Sequence, residues 1–250
     1  MFHWLKQWYH DRIIRRSTIT SHQWEEAFQS LPLLSRLNFN ERQQLRNLAI
    51  LFLHYKSLEG VGIQVTTSMQ LIIALQACLP ILKLGLEWYE GWVSVVIYPG
   101  AFAKEEVQVD EGGVVHQGKI SLSGESWQRG PVVLSWQDLR SQSSFETRNV
   151  VIHELAHKLD MLNGQANGLP PLHKEMSIKQ WAEVFTLAYE DFCQRLLSNT
   201  VPMDSYAATS PGEFFAVLSE YFFENPKVIS EYYPNVYEQL VEFYRQDPNQ

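Results

Sequence analysis

Apolar residues recur at helical spacing through the first part of the chain. Phe2, Leu5, Trp8 and Tyr9 form one such series, and Leu45, Leu48, Ala49, Phe52 and Leu53 form another. The turn Leu31-Pro32-Leu33 separates them, and Asn40, directly before Glu41, is placed to cap the second helix. Gly60 and Gly62 then open a segment, Ile63 to Thr66, that reads as a strand. Met69 to Leu79 reads as a buried helix stopped by Pro80. The β-branched run Val93, Val95, Val96 and Ile97 predicts a strand within Trp92 to Tyr98, and Pro131 to Trp136 predicts another. Gly112-Gly113 reads as a turn between two short strands. The helical pattern returns after residue 143 and runs to the end. Helices, then a small mixed sheet, then helices predicts an α+β protein rather than a βαβ parallel fold. No internal repeat or long linker interrupts it. The expected organisation is one domain over residues 1–250, in which residues 1–58 form a helical extension packed on a core of residues 59–250.

Composition narrows the class. Of 250 residues, 45% are hydrophobic and 19% charged, which fits a globular chain and not a disordered one. The net charge of -8 argues against direct nucleic-acid binding, because phosphate contacts need clustered Lys and Arg. The one basic cluster, Arg12, Arg15 and Arg16, reads as a solvated helix face in preference to a membrane or partner contact. The 2 cysteines, Cys78 and Cys193, are far apart and suggest no disulfide framework, so a reducing compartment is expected. Cys78 lies in an apolar run and reads as inert. The N-terminal segment has no uninterrupted apolar core of a signal peptide. The stretch Leu71 to Leu86 is broken by Gln76, Pro80, Lys83 and Gly85 and is not expected to span a bilayer. These features predict a cytoplasmic protein with no membrane partner.

The candidate chemistry lies in Val151-Ile152-His153-Glu154-Leu155-Ala156-His157, which contains H-E-x-x-H. Residues four apart lie on one face of an α-helix, so two imidazoles there can reach one Zn²⁺ while Glu154 projects beside them toward its water. Val151, Leu155, Leu159 and Leu162 supply an apolar stripe for that helix; Ser144, or alternatively Thr147, is placed to cap it. Asn163-Gly164 suits its C-terminus. With 8 His in the chain, chance produces this motif in about one such sequence in a hundred. The metal reading therefore outweighs coincidence.

A catalytic zinc needs a third protein ligand. Asp160 and Asn163 stand where a metzincin has Gly and His, which excludes that class. The best remaining segment is Ser210 to Glu220, the start of a second helix with Pro211 in its first turn. Glu213 is a candidate ligand, but Ser210-x-x-Glu213 is equally a capping box. Glu220, two turns on, is the alternative ligand or a supporting carboxylate. His173, in a Pro-rich loop, is a weaker candidate. Tyr206 is placed to stabilise an oxyanion, although most of the 11 Tyr serve packing. Asp160, one turn beyond His157, is either an orienting carboxylate or an exposed residue near a helix end.

These segments together resemble the Mlc titration factor A family of zinc peptidases. The resemblance rests on H-E-L-A-H-K-L-D-M-L-N-G at 153–164 and S-Y-A-A-T-S-P-G-E-F-F-A-V-L-S-E-Y-F-F at 205–223. It extends to G-L-E-W-Y-E-G-W at 85–92 and L-S-G-E-S-W-Q-R-G-P-V-V-L-S-W at 122–136, so it covers roughly residues 60 to 225. It implies a mainly helical zincin-type fold related to the catalytic domain of anthrax lethal factor. It implies one Zn²⁺ held by His153, His157 and Glu213, with Glu154 and Tyr206 catalytic and Glu220 supporting; Asp160 stays a candidate supporting carboxylate on its position alone. It also implies aminopeptidase-type hydrolysis of peptide substrates, and binding of a glucose-responsive transcriptional repressor by some members. The alternative is a non-catalytic protein that sequesters a regulator and uses the zinc helix as scaffold. A purely structural zinc site fits poorly, since such sites favour four closed ligands, often Cys.

Overall fold

The computed structural model describes residues 3–100, 103–109, 115–121, 130–140, 148–198 and 202–250. Among these, helices dominate. The N-terminal part holds α1 (His3–Arg15), α2 (Ser21–Gln29) and α3 (Phe39–Tyr55), followed by β1 (Ser57–Gly60) and α4 (Thr67–Cys78). The middle holds β2 (Ser94–Tyr98), β3 (Ala103–Val109), β4 (Val115–Ser121), β5 (Val132–Ser135) and the short α5 (Trp136–Arg140). The C-terminal part is α6 (Val150–Asp160), α7 (Ile178–Leu197), α8 (Pro211–Glu224), α9 (Pro226–Tyr232) and α10 (Pro234–Tyr244).

The expected mixed sheet is instead two separate pieces. β1, β2 and β5 form a three-stranded sheet in the order β1-β2-β5, parallel throughout. β3 and β4 form an antiparallel ribbon of their own. Parallel neighbours require crossovers, and α4 supplies the one between β1 and β2. Val95 pairs with Val132 and Ile97 with Leu134, and all four are buried. The Gly112-Gly113 turn lies outside the described residues.

The first strand is Ser57–Gly60 and not Ile63 to Thr66. Its pairing with β2, Leu58 opposite Val95, makes it a strand, since its own polar sequence carries no alternation. The cap of α3 is Asn38, two residues before the expected Asn40; its side chain accepts from the Glu41 N–H while Glu41 reaches back to the Asn38 N–H. In α1 the apolar series faces outward: Trp4, Leu5, Trp8 and Tyr9 are exposed, and Ile13 and Ile14 pack inward. Arg12, also exposed, lies over the Trp8 ring.

The core runs without a break from Trp24 of α2 to Tyr244 of α10. Its densest part is aromatic. Trp181, Phe185, Phe215 and Phe243 pack ring against ring, as do Phe222, Phe223 and Tyr244. Rings of this size dominate burial energetics, and here they lock α7, α8 and α10 to one another, with α6 packed on α8. Cys78 is fully buried and its thiol is pushed up by burial; both cysteines are free. Among the described residues no helix is long and apolar enough to cross a membrane.

Candidate metal centre

Every residue of α6 from Val151 to Asp160 is buried, including His153, Glu154, His157, Lys158 and Asp160. Burying polar groups is costly unless they are paired, so the surroundings of these five side chains define the site. Lys158 donates to the Gly130 carbonyl at 2.9 Å, and burial pulls its pKa down to about 8. Asp160 accepts from the Gly168 N–H at 2.7 Å, and burial pushes its pKa up to about 6. The two imidazoles face a carboxylate delivered by α8.

The helix begins at a cap the sequence reading missed. Asn149 accepts from the Ile152 N–H through its side chain at 3.0 Å; Ser144 and Thr147 lie outside the described residues. An Asn immediately before an apolar helical run is a recognised cap signal, and it stands one turn ahead of His153. Asn149 also donates from its side chain to Gln76 and to Glu224, both at 2.7 Å, and from its backbone to Glu220 Oε2 at 2.5 Å. Buried, it ties α4, α6 and α8 together.

The first turn of α8 is seated by a loop that only glycine permits. Gly168 has φ +79°, and a Cβ there would stand 2.6 Å from the Pro211 carbonyl oxygen. A Cβ on Gly212 would stand 2.9 Å from the Ala166 oxygen. Asp160 grips this loop at Gly168, and the Trp181 indole donates to the Gly168 carbonyl at 2.8 Å. Asp160 thus accepts from the loop, while His157 Nδ1 has no hydrogen-bond partner among the described residues. Tyr189 donates to the Ala208 carbonyl at 2.8 Å and holds the turn bearing Tyr206 against α7.

This packing brings three donor atoms together. Glu213 Oε2 lies 3.0 Å from His153 Nε2 and 3.2 Å from His157 Nε2, and the two Nε2 atoms are 3.2 Å apart. Three ligands at about 2.0–2.1 Å from a tetrahedral ion stand about 3.3–3.4 Å from one another. The triangle is within a few tenths of an ångström of that, so the residues fit a small divalent metal. Ser210 does cap α8, accepting from the Glu213 N–H at 3.2 Å. The Glu213 carboxylate, however, turns to the imidazoles and not back to Ser210. His173 lies elsewhere: its Nε2 is 2.8 Å from the Phe243 carbonyl and its ring packs on Trp88.

Around the triangle the electrostatics are consistent with a cation site. Burial raises the Glu213 pKa, but the hydrogen bonds and charge of His153 and His157 prevail and hold it down to about 2. Burial likewise opposes charge on His153, but Glu213 and Glu220 push its pKa up to about 10. Glu220 Oε1 sits 2.7 Å from His153 Nδ1. A carboxylate there fixes the proton on Nδ1 and leaves Nε2 free to ligate. Glu154 makes no hydrogen bond or ion pair with any described residue, and burial raises its pKa. The Tyr206 ring lies 6.0 Å from the His153 ring, centre to centre.

The model of the family described as glucose-regulated metallo-peptidase M90 matches residues 5–245. The chain belongs to this family. The match takes in α1 to α3, which lie outside the stretch of roughly residues 60 to 225 over which the resemblance is legible in the sequence. Three proteins called Mlc titration factor A illustrate the kinship. The one from Yersinia enterocolitica serotype O:8 / biotype 1B is 41% identical over 231 residues, covering 90% of this chain and 86% of its own. That from Salmonella arizonae is 40% identical, covering 91% and 92%. That from Klebsiella pneumoniae strain 342 is 39% identical, covering 91% and 87%. Membership of M90 and the His153, His157, Glu213 cluster agree on a metal-binding, peptidase-class protein.

Proposed function

We propose that this protein is a zinc-dependent peptidase of aminopeptidase type, with His153, His157 and Glu213 as metal ligands. The observation that carries the reading is the triangle of donor atoms, with His153 and His157 buried, and the buried Glu154 carboxylate within reach of the charge of both imidazoles. When bound, zinc supplies a Lewis acid that acidifies water toward a pKa of about 7 and polarises a peptide carbonyl. Glu154 takes the proton from the attacking water and delivers it to the leaving amine. Burial keeps its pKa above the usual carboxylate range, which suits a group that must both accept and return a proton. Tyr206 donates to the oxyanion that develops on the scissile carbonyl. Glu220 holds the His153 tautomer, and Asp160 holds the loop that seats α8.

The test is Glu154→Gln, assayed on chromogenic amino-acid and peptide substrates alongside metal analysis. Turnover should fall by about 10²–10⁴-fold while metal content and thermal stability stay unchanged. Undiminished turnover would refute the assignment of Glu154.

A second reading is favoured by the relatives' shared name, which speaks of titrating Mlc. We carry this to the chain as binding of a transcriptional repressor, in the cytoplasm, by a surface that does not require turnover. Glu154→Gln separates the two: a sequestering protein keeps its full affinity for the repressor when hydrolysis is lost.

A further inference from the structure

The start of α6 carries a polar cluster that helix capping does not account for. Asn149 caps the helix, its Oδ1 accepting from the Ile152 N–H at 3.0 Å. Ser, Thr or Asp would serve that purpose about as well. Only an amide adds two N–H donors to such an acceptor, and both are in use. One reaches Gln76 Oε1 on α4 and the other Glu224 Oε1 at the end of α8, each at 2.7 Å. The residue type at 149 is therefore explained by its two donors and not by the cap.

The partners of Asn149 are themselves held. Gln76 donates to the Ile72 carbonyl, one turn back in α4, at 3.1 Å, which turns its oxygen toward Asn149. Arg36, in the segment before α3, donates to the Phe223 carbonyl at 2.6 Å, and its charge acts on the Glu224 carboxylate. Asn149 and Gln76 are buried, and a buried polar network whose members are satisfied is rigid.

These contacts fix how α6 lies along α8. The two helices run antiparallel, with Glu224 and Glu220 beside Asn149 and Glu213 beside His157. At the other end of the pair, Asp160 grips the loop that seats α8. The donor triangle lies between these two fastenings. α6 supplies two of its corners and α8 the third, with Glu213 Oε2 at 3.0 and 3.2 Å from the imidazole nitrogens. Metal–ligand distances tolerate about 0.2 Å. One residue of slide along a helix is about 1.5 Å, so a slip of a fraction of a residue spoils the triangle. The same slip would part Glu220 from the two groups it bridges, the Asn149 N–H and His153 Nδ1.

We propose that Asn149 is a positioning residue of the metal centre, its side-chain bonds to Gln76 and Glu224 holding α6 and α8 in the register at which His153, His157 and Glu213 share one ion. The role presupposes the zinc site proposed above.

Asn149→Ser keeps a capping oxygen and removes both donors. Competition with a chromophoric chelator reads its zinc affinity, the visible absorption of the cobalt-loaded protein reads ligand geometry, and urea unfolding of the metal-free protein reads stability. Where the variant is fully folded, zinc affinity should fall about tenfold or more and the cobalt spectrum should change. Glu224→Ala removes one partner of Asn149 and leaves the cap and Glu220 in place. It should move both readouts in the same direction by less, and it carries the test if Asn149→Ser does not fold. An Asn149 that serves only stability gives easier unfolding in urea, with zinc affinity within twofold of the parent and an unchanged cobalt spectrum in every variant that folds. That result overturns the proposal while leaving the zinc site standing. A parent protein that binds no zinc overturns the zinc site and this role with it.

Discussion

Glu220→Gln probes the support of the metal centre with the smallest change of shape. Glu220 faces two donors at once: His153 Nδ1 at 2.7 Å from Oε1 and the Asn149 backbone N–H at 2.5 Å from Oε2. A carboxylate accepts both. An amide of the same shape must turn its NH₂ toward one of them and set donor against donor. Turned toward His153, it removes the acceptor that keeps the proton on Nδ1. Turned toward Asn149, it disturbs the cap of α6. Losing such an orienting partner costs about 10–100-fold in metal affinity, or about 1.4–2.8 kcal/mol at 1.4 per decade. The same confrontation in a buried place should cost the metal-free fold about 1–3 kcal/mol. Competition against a chromophoric zinc chelator measures the first quantity, and urea unfolding of the apo protein measures the second. Metal affinity within twofold of the parent would refute the assignment of Glu220 as the group that sets the His153 tautomer.

Two further perturbations follow from the same geometry. In the metal-free protein the Glu213–His153 attraction contributes fully only where both are charged. Glu213, held at about 2 against an ordinary 4.5, loses its contribution as pH falls through 2, and His153, raised to about 10 from 6.5, loses its own as pH rises through 10. The difference in Tm between parent and Glu213→Gln should therefore be greatest between pH 4.5 and 6.5 and narrow on both sides; a gap constant from about pH 3 to about pH 9 contradicts it. Gly168→Ala combines a φ of +79° with a Cβ at 2.6 Å from the Pro211 oxygen, so it should cost about 2 kcal/mol or more and lower Tm by about 4–8 °C; a Tm equal to the parent's would show that the loop does not clamp α8.

The site was legible in the sequence to the extent that it is local. His153 and His157 are read from a four-residue spacing because one helical turn dictates it. Glu213 was balanced between ligand and cap until the structure divided the roles, with the Ser210 hydroxyl capping the helix while the Glu213 carboxylate faces the imidazoles. Asn149 went unnoticed because its side-chain contacts with Gln76 and Glu224 span more than seventy residues, and no local pattern encodes them. The strands show the same division. β2 and β5 carry buried alternating residues that announce them, whereas β1 is polar and is defined by its neighbour. Direction was illegible for a related reason: whether short strands pair in parallel depends on the path between them, and here α4 provides a crossover. The outward turn of Trp4, Trp8 and Tyr9 on α1 shows that periodicity locates a helix without saying which face meets the core.

The central claim concerns three side chains and one ion, and anomalous diffraction at the zinc edge from crystals grown with zinc tests it most directly. The account predicts a single strong peak within about 2.0–2.2 Å of His153 Nε2, His157 Nε2 and a Glu213 oxygen. A peak at any other cluster, or none at these three residues under saturating zinc, would contradict it.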